Sequence, residues 1–192
     1  MKLTGSYQIN LEKQKVWEAL NNPEILKKSI PGCEEFNKES ETEFSAAATN
    51  KIGPFNASFT GTIELKDINA PNSYKISGSG NSSVGFASGE AEVKLEDNNG
   101  GTKLIYTVEA NVGGKIAQIG SRLIDMTAKK MADIFFGKFS EIISEKEISR
   151  ETQEKPEIEN ILKNKKNTIY SNKKFIYLSI ISIIVIVIYY LF

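Results

Sequence analysis

Between residues 112 and 146 the chain runs for roughly nine helical turns without a proline, and this stretch limits what the rest can fold into. Ile116, Ile119, Leu123, Thr127, Met131, Phe135, Phe139 and Ile142 recur at steps of three or four and form one apolar stripe. Small residues lie beside it: Ala117, Gly120, Ser121, Ala128 and Ala132. Lys115, Arg122, Lys129, Lys130, Asp133 and Glu141 fall mostly on the other face. The pair Gly113-Gly114 reads as a turn and helix entry. A stripe of this length must lie on an apolar surface, and the small seam lets a sheet come close. The expectation is a curved sheet, built from the preceding strands, that grips this helix. The space between sheet and helix is then the functional site.

The preceding residues supply such a sheet. Leu3, Gly5, Tyr7 and Ile9 alternate as a half-buried strand. Asn10 is placed to cap a helix carrying Val16, Trp17 and Leu20. Asn22-Pro23 ends that helix and opens a second short one, which stops before Pro31-Gly32. Phe44, Ala46 and Ala48 share a face, and Ile52-Gly53-Pro54 is a turn. The cleanest alternation follows, with Phe55, Ala57, Phe59, Gly61, Ile63 and Leu65 on one side. Tyr74, Ile76 and Gly78 continue the pattern, as do Ala91, Val93 and Leu95. A hairpin loop at Asp97–Gly101 leads to Leu104, Tyr106, Val108 and Ala110. Strands joined by short turns are antiparallel. The fold class is therefore α+β: six or seven curved antiparallel strands around a long C-terminal helix. Residues 1–148 form the domain, 149–174 a polar charged linker, and 175–192 a separate hydrophobic segment.

The inward face mixes small residues with aromatics. Large side chains normally fill the gap between a helix and a curved sheet, so small ones leave either close backbone contact or a void. One reading is an apolar pocket lined by Tyr7, Phe44, Phe55, Phe59, Phe86, Tyr106, Ile119, Leu123 and Met131, with Tyr7 or Tyr106 offering a hydroxyl. The other is a packed core in which the small residues meet the helix seam.

Little in the chain points to catalysis. There is no histidine, which removes the common acid–base catalyst, the hydrolytic triads and most zinc sites. The single cysteine, Cys33, has no partner for a disulfide and no histidine to activate it. No paired carboxylates emerge from the spacing, and neither catalytic residues nor metal ligands are expected. The stretch GSGNSSVGFASG, residues 78–89, lacks the spacing of a nucleotide loop and reads as a flexible hairpin or pocket rim. With 24 basic and 24 acidic residues, the charge balance gives no footprint for nucleic acid.

The last eighteen residues carry no charge. As a helix they span about 27 Å, close to a hydrocarbon core of about 30 Å. Phe175, Tyr177, Ile184, Tyr189 and Phe192 are the candidate anchor residues, with the tyrosines suited to the interfaces. Lysines at 163, 165, 166, 173 and 174 precede this segment, so the positive-inside rule keeps the larger N-terminal part cytoplasmic. The alternating N-terminus does not read as a signal peptide. The expected location is the cell membrane, with a single pass.

Several pieces, taken in order, resemble a known family. Strand, then Val16–Leu26, then strands and a long terminal helix is similar to the START-like (SRPBCC) helix-grip superfamily. More narrowly, Ile30-Pro31-Gly32-Cys33, Ile52-Gly53-Pro54-Phe55, Phe59-Thr60-Gly61, Gly78-Ser79-Gly80, the run from Val112 to Arg122 and Phe135-Phe136 resemble the G subunit of carbon monoxide dehydrogenase. The resemblance implies a non-catalytic accessory protein that recruits a molybdenum hydroxylase of the carbon monoxide dehydrogenase type to the membrane. It also implies a cavity able to hold a lipophilic quinone or similar lipid, with no covalent cofactor. A scaffold whose domain is solid, and an enzyme on the same fold, are the alternatives, since one fold hosts all three.

Overall fold

A computed structural model describes residues 1–149. Strand β1 (Lys2–Ile9) leads to helices α1 (Lys13–Leu20) and α2 (Pro23–Ser29), then to six strands: β2 (Cys33–Lys38), β3 (Glu43–Ile52), β4 (Phe55–Asn69), β5 (Ser73–Ser82), β6 (Gly85–Asn98) and β7 (Gly101–Gly114). A 3₁₀ turn (Lys115–Ile119) and helix α3 over 121–149 follow. The strands form one antiparallel sheet in the order β1-β7-β6-β5-β4-β3-β2. Consecutive strands from β2 to β7 are hairpin neighbours, and β1 closes on β7 with Gly5 opposite Tyr106.

Turn chemistry sets this register. Asn99 and Gly100 both hold positive φ, at 49° and 79°, which a two-residue hairpin between β6 and β7 requires. The expected loop at 97–101 therefore shortens to two residues, with Asn98 pairing Gly101. The glycine- and serine-rich stretch at 78–89 is the expected hairpin, with its arms inside the sheet. It is strand on both sides of a tight turn, with Ser82 opposite Gly85 and the Ser82 hydroxyl donating to the Gly85 carbonyl at 2.9 Å. Cross-strand bonding holds these residues extended although their propensity is low.

Helix α1 begins after Glu12 with no side-chain cap, so Asn10 does not cap it. At α2 the side chain of Asn22 accepts from the backbone N–H of Glu24 and of Ile25, with Pro23 in the first turn.

The expected helix entry at Gly113-Gly114 is not one. Residues 112–114 remain in β7, paired with β6 as far as Gly85–Gly114. The 3₁₀ turn then buries Ile116, whose N–H bonds the Val84 carbonyl at 3.0 Å. Gly120, at φ 90°, redirects the chain into α3. The stretch read as one helix is thus divided between a strand end, a 3₁₀ turn and a helix, with its apolar stripe shared by the last two.

The core lies where α1, the second half of α3 and the concave sheet face meet. Ile9, Val16, Leu104 and Phe139 are fully buried there, beside Leu95, Phe136 and Ile143. The first half of α3 is held less closely: Leu123 and Met126 are 39% and 61% exposed. Among the described residues no helix is long and apolar enough to cross a membrane. The anchor expected at 175–192 and most of the linker lie outside the described residues.

Candidate functional site

Side-chain parity decides what faces the concave side. On β4 it is Phe59, Gly61, Ile63 and Leu65; on β5, Tyr74, Ile76, Gly78 and Gly80. Ile63, Leu65, Tyr74 and Ile76 sit together at one end, and beyond them Gly61, Gly78 and Gly80 leave a low floor with Phe59 past it. The site therefore has two parts.

The first is a cavity of about 270 Å³ with an almost wholly apolar wall. Leu20 and Leu26 of the short helices and Ile30 close one side. Phe36 and Phe44, whose rings lie 5.4 Å apart, close the sheet edge. Ile63, Leu65, Tyr74, Ile76, Val93 and Leu104 form the floor, and Phe135 and Phe136 of α3 the roof. An apolar cavity of about 150 Å³ can already hold a benzene ring, so this one has room for a substituted ring.

Tyr74 brings a phenol to this wall. It is 5% exposed, its ring meets Trp17 edge-on at 5.3 Å, and its hydroxyl has no hydrogen-bond partner among the described residues. Burial alone pushes its ionisation above the ordinary range. It is a neutral donor in an apolar setting, where a hydrogen bond to an incoming group counts for more than in water.

The second part is an open trough of about 380 Å³ that shares Ile63 and Ile76 with the cavity. Its floor is small: Ala46 and Ala48 of β3, Gly61 of β4, Gly78 and Gly80 of β5, Ala87 and Ala91 of β6, and Ala110 of β7. No residue of α3 lines it.

Behind the roof stands an aromatic block. Phe136 stacks on Tyr7 at 4.2 Å and on Tyr106 at 5.6 Å, and meets Phe135 edge-on at 4.9 Å. The Tyr7 hydroxyl donates to the Asp133 carboxylate and ties β1 to the middle of α3. Burial first, and Asp133 next, push the Tyr7 phenol well above its usual range. Tyr106 is raised by burial and by Asp133.

The nine residues expected to line the pocket separate accordingly. Phe44 is on the cavity wall and Phe59 on the trough. Tyr7 and Tyr106 stand one ring behind the wall, and the hydroxyl of Tyr7 is occupied by Asp133. Phe55 shares the concave face but lies about 26 Å from Ile63 along β4, eight residues at about 3.3 Å each. Ile119 and Leu123 pack against the turn at Gly53. Met131 is half-buried on α3 and lines neither space. Phe86 is a correction: β6 has no register shift, Val93 and Leu95 point inward, and Phe86 therefore has outward parity. It lies over Gly113 on the convex face and is 43% exposed. Tyr74, Trp17 and Phe136 were legible only as strand or helix members. A lone tyrosine on an inward strand position was the available signal for Tyr74.

A broader depression of about 570 Å³ includes Glu39, Glu43, Glu64 and Glu90 among serines and threonines. It is an open dip of mixed wall, with Phe44 and Ile63 beside the glutamates. Cys33 is half-buried, its thiol pushed up by burial, with Sγ donating to the Glu35 carbonyl at 3.3 Å.

A long helix laid across a curved antiparallel sheet, with a hollow between them, defines a helix-grip protein. Within that class the chain belongs to the CoxG family, the G subunit of carbon monoxide dehydrogenase, whose profile matches residues 5–144. Among solved structures it is similar to a conserved protein from Geobacillus kaustophilus, with 32% identity and a TM-score of 0.72 over 76% of this chain and 96% of that one. A protein from Rhizobium leguminosarum shares the fold at 13% identity and TM-score 0.58, covering 76% of this chain and 95% of its own. So does one from Thermus thermophilus, at 11% identity and TM-score 0.56, covering 74% and 97%. No curated protein sequence matches the chain.

Proposed function

We propose that this protein is an accessory carrier for a carbon monoxide dehydrogenase-type molybdenum hydroxylase. It holds one neutral hydrophobic ligand, a lipophilic quinone, in the cavity beneath Phe135 and Phe136. Residues 175–192 anchor it in the membrane and draw the hydroxylase there. The observation that carries this reading is the roofed apolar cavity with Tyr74 on its wall, a buried residue whose hydroxyl makes no hydrogen bond among the described residues. Such a wall rejects charged ligands, whose desolvation it cannot offset, and favours a ring with a carbonyl acceptor. Family membership supports the accessory role. An unactivated Cys33 and the absence of histidine fit a role in which the hydroxylase supplies the chemistry.

The test has two arms. Organic extracts of the full-length protein purified from its membranes should contain a quinone-class lipid near one per chain. Membranes carrying the full-length chain should retain the hydroxylase, while membranes without it should not. Retention of the enzyme by a ligand-free protein would replace the carrier reading with a scaffold.

A further inference from the structure

The glycines of the trough are of two kinds. A Cβ on Gly61 would collide with the Ser79 carbonyl, and one on Gly89 with the Glu109 carbonyl. At those positions the neighbouring backbone demands glycine. Gly78 and Gly80 differ. A Cβ on Gly78 would meet the Thr62 carbonyl oxygen at 3.4 Å and Ile63 Cγ1 at 3.8 Å, and one on Gly80 the Thr60 carbonyl oxygen at 3.6 Å and Phe59 Cδ1 at 4.0 Å. These are ordinary contacts, and neither glycine has positive φ. Nothing in the backbone requires glycine there, and glycine weakens a strand. Both lie on the trough floor, immediately beyond Ile76, which the cavity and the trough share.

We infer that Gly78 and Gly80 are specificity-determining residues that keep the trough clear for an apolar chain attached to the ring in the cavity. They select long-chain ligands and contribute nothing to the ring end. Side chains at these two positions would stand where the chain runs. The ligand class is therefore a ring with a single extended apolar substituent, its chain covered by protein on one side. This inference rests on the carrier reading and adds to it the residues that read chain length.

The experiment uses the full-length protein and alkyl phenyl ketones of increasing length, from acetophenone to dodecanophenone. These probes carry one ring, one carbonyl acceptor and a graded chain. Quenching of Trp17, the single tryptophan and a ring neighbour of Tyr74, reports binding. In the wild type, affinity should rise about twofold per methylene, half the roughly fourfold expected for full burial. In Gly78→Val and Gly80→Val the affinity for acetophenone should be kept and the gain with chain length lost. Ser77→Val, outward on the same strand and lining neither the cavity nor the trough, should behave as wild type. Melting temperatures check that each variant folds, and Gly78→Ala gives a milder version of the same loss if valine disrupts the strand. An undiminished chain-length gain in the folded glycine variants overturns this inference and leaves the carrier reading intact. Loss of acetophenone binding in those variants also overturns it, because the glycines then shape the whole site. A wild type that binds no ketone overturns the carrier reading and this inference together.

Discussion

Truncating Phe139 should damage the fold far more than truncating Leu123, although both belong to the apolar stripe of the sequence. Phe139 has no exposed surface, stacks on Phe135 at 5.8 Å and sits in the main core. Phe139→Ala removes a buried ring and leaves a void that the sheet cannot close, a loss of about 3–5 kcal/mol. Leu123 is 39% exposed and packs against the turn at Gly53. Full burial of a leucine is worth about 1.5–3 kcal/mol, and partial burial at a surface leaves little cavity term. Leu123→Ala should cost about 1–1.5 kcal/mol. Urea unfolding followed by Trp17 fluorescence measures both, and the losses should separate by a factor of roughly three in free energy. Equal losses would refute the claim that the sheet grips α3 through its second half and holds the first half loosely.

Other consequences follow from the same geometry. Tyr74→Phe keeps the ring and removes the donor; affinity for a carbonyl-bearing ring should fall about 2- to 12-fold, one hydrogen bond's worth, which the same quenching titration would read. Tyr7, Tyr74 and Tyr106 are all held protonated above their ordinary range. Each folded-state value exceeds the unfolded one, so their stabilisation is complete below about pH 10 and declines as pH rises beyond it. Thermal melts from pH 8 to 11 should show stability dropping above about pH 10, less steeply in Tyr74→Phe; a flat profile would contradict the burial of these phenols. Tyr7→Phe breaks the bond to Asp133 at the exposed end of the aromatic block and should cost about 1 kcal/mol in the urea assay, leaving ring packing on Phe136 intact.

Much of the architecture could be read from periodicity. Alternation along Phe55–Leu65 and Leu104–Ala110 marked strands whose inner faces the structure confirms, and Gly53 and Gly100 marked turns that need positive φ. One misplacement has a physical cause. The stripe through Ile116 and Ile119 fits helical spacing, yet strand pairing claims residues as far as Gly114 and Gly120 resets the chain. Serine and glycine between 78 and 89 read as a hairpin, and hydrogen bonding to both neighbours keeps its arms in the sheet despite their low strand propensity. Site residues were harder to see. Phe44 and Phe59 could be assigned by parity, whereas Tyr7 and Tyr106 share the inward face and still stand behind Phe136. Which inward aromatic meets the hollow depends on where α3 crosses, and no spacing within a strand encodes that.

Native mass spectrometry of the full-length protein, beside a Val93→Phe variant, tests the central claim most directly. Val93 is 7% exposed on the cavity floor, so a phenyl ring there occupies ligand space. The wild type should carry one small neutral adduct per chain, and the variant should fly bare. A bare wild type, or the same adduct on both, would contradict a ligand held between the sheet and Phe136.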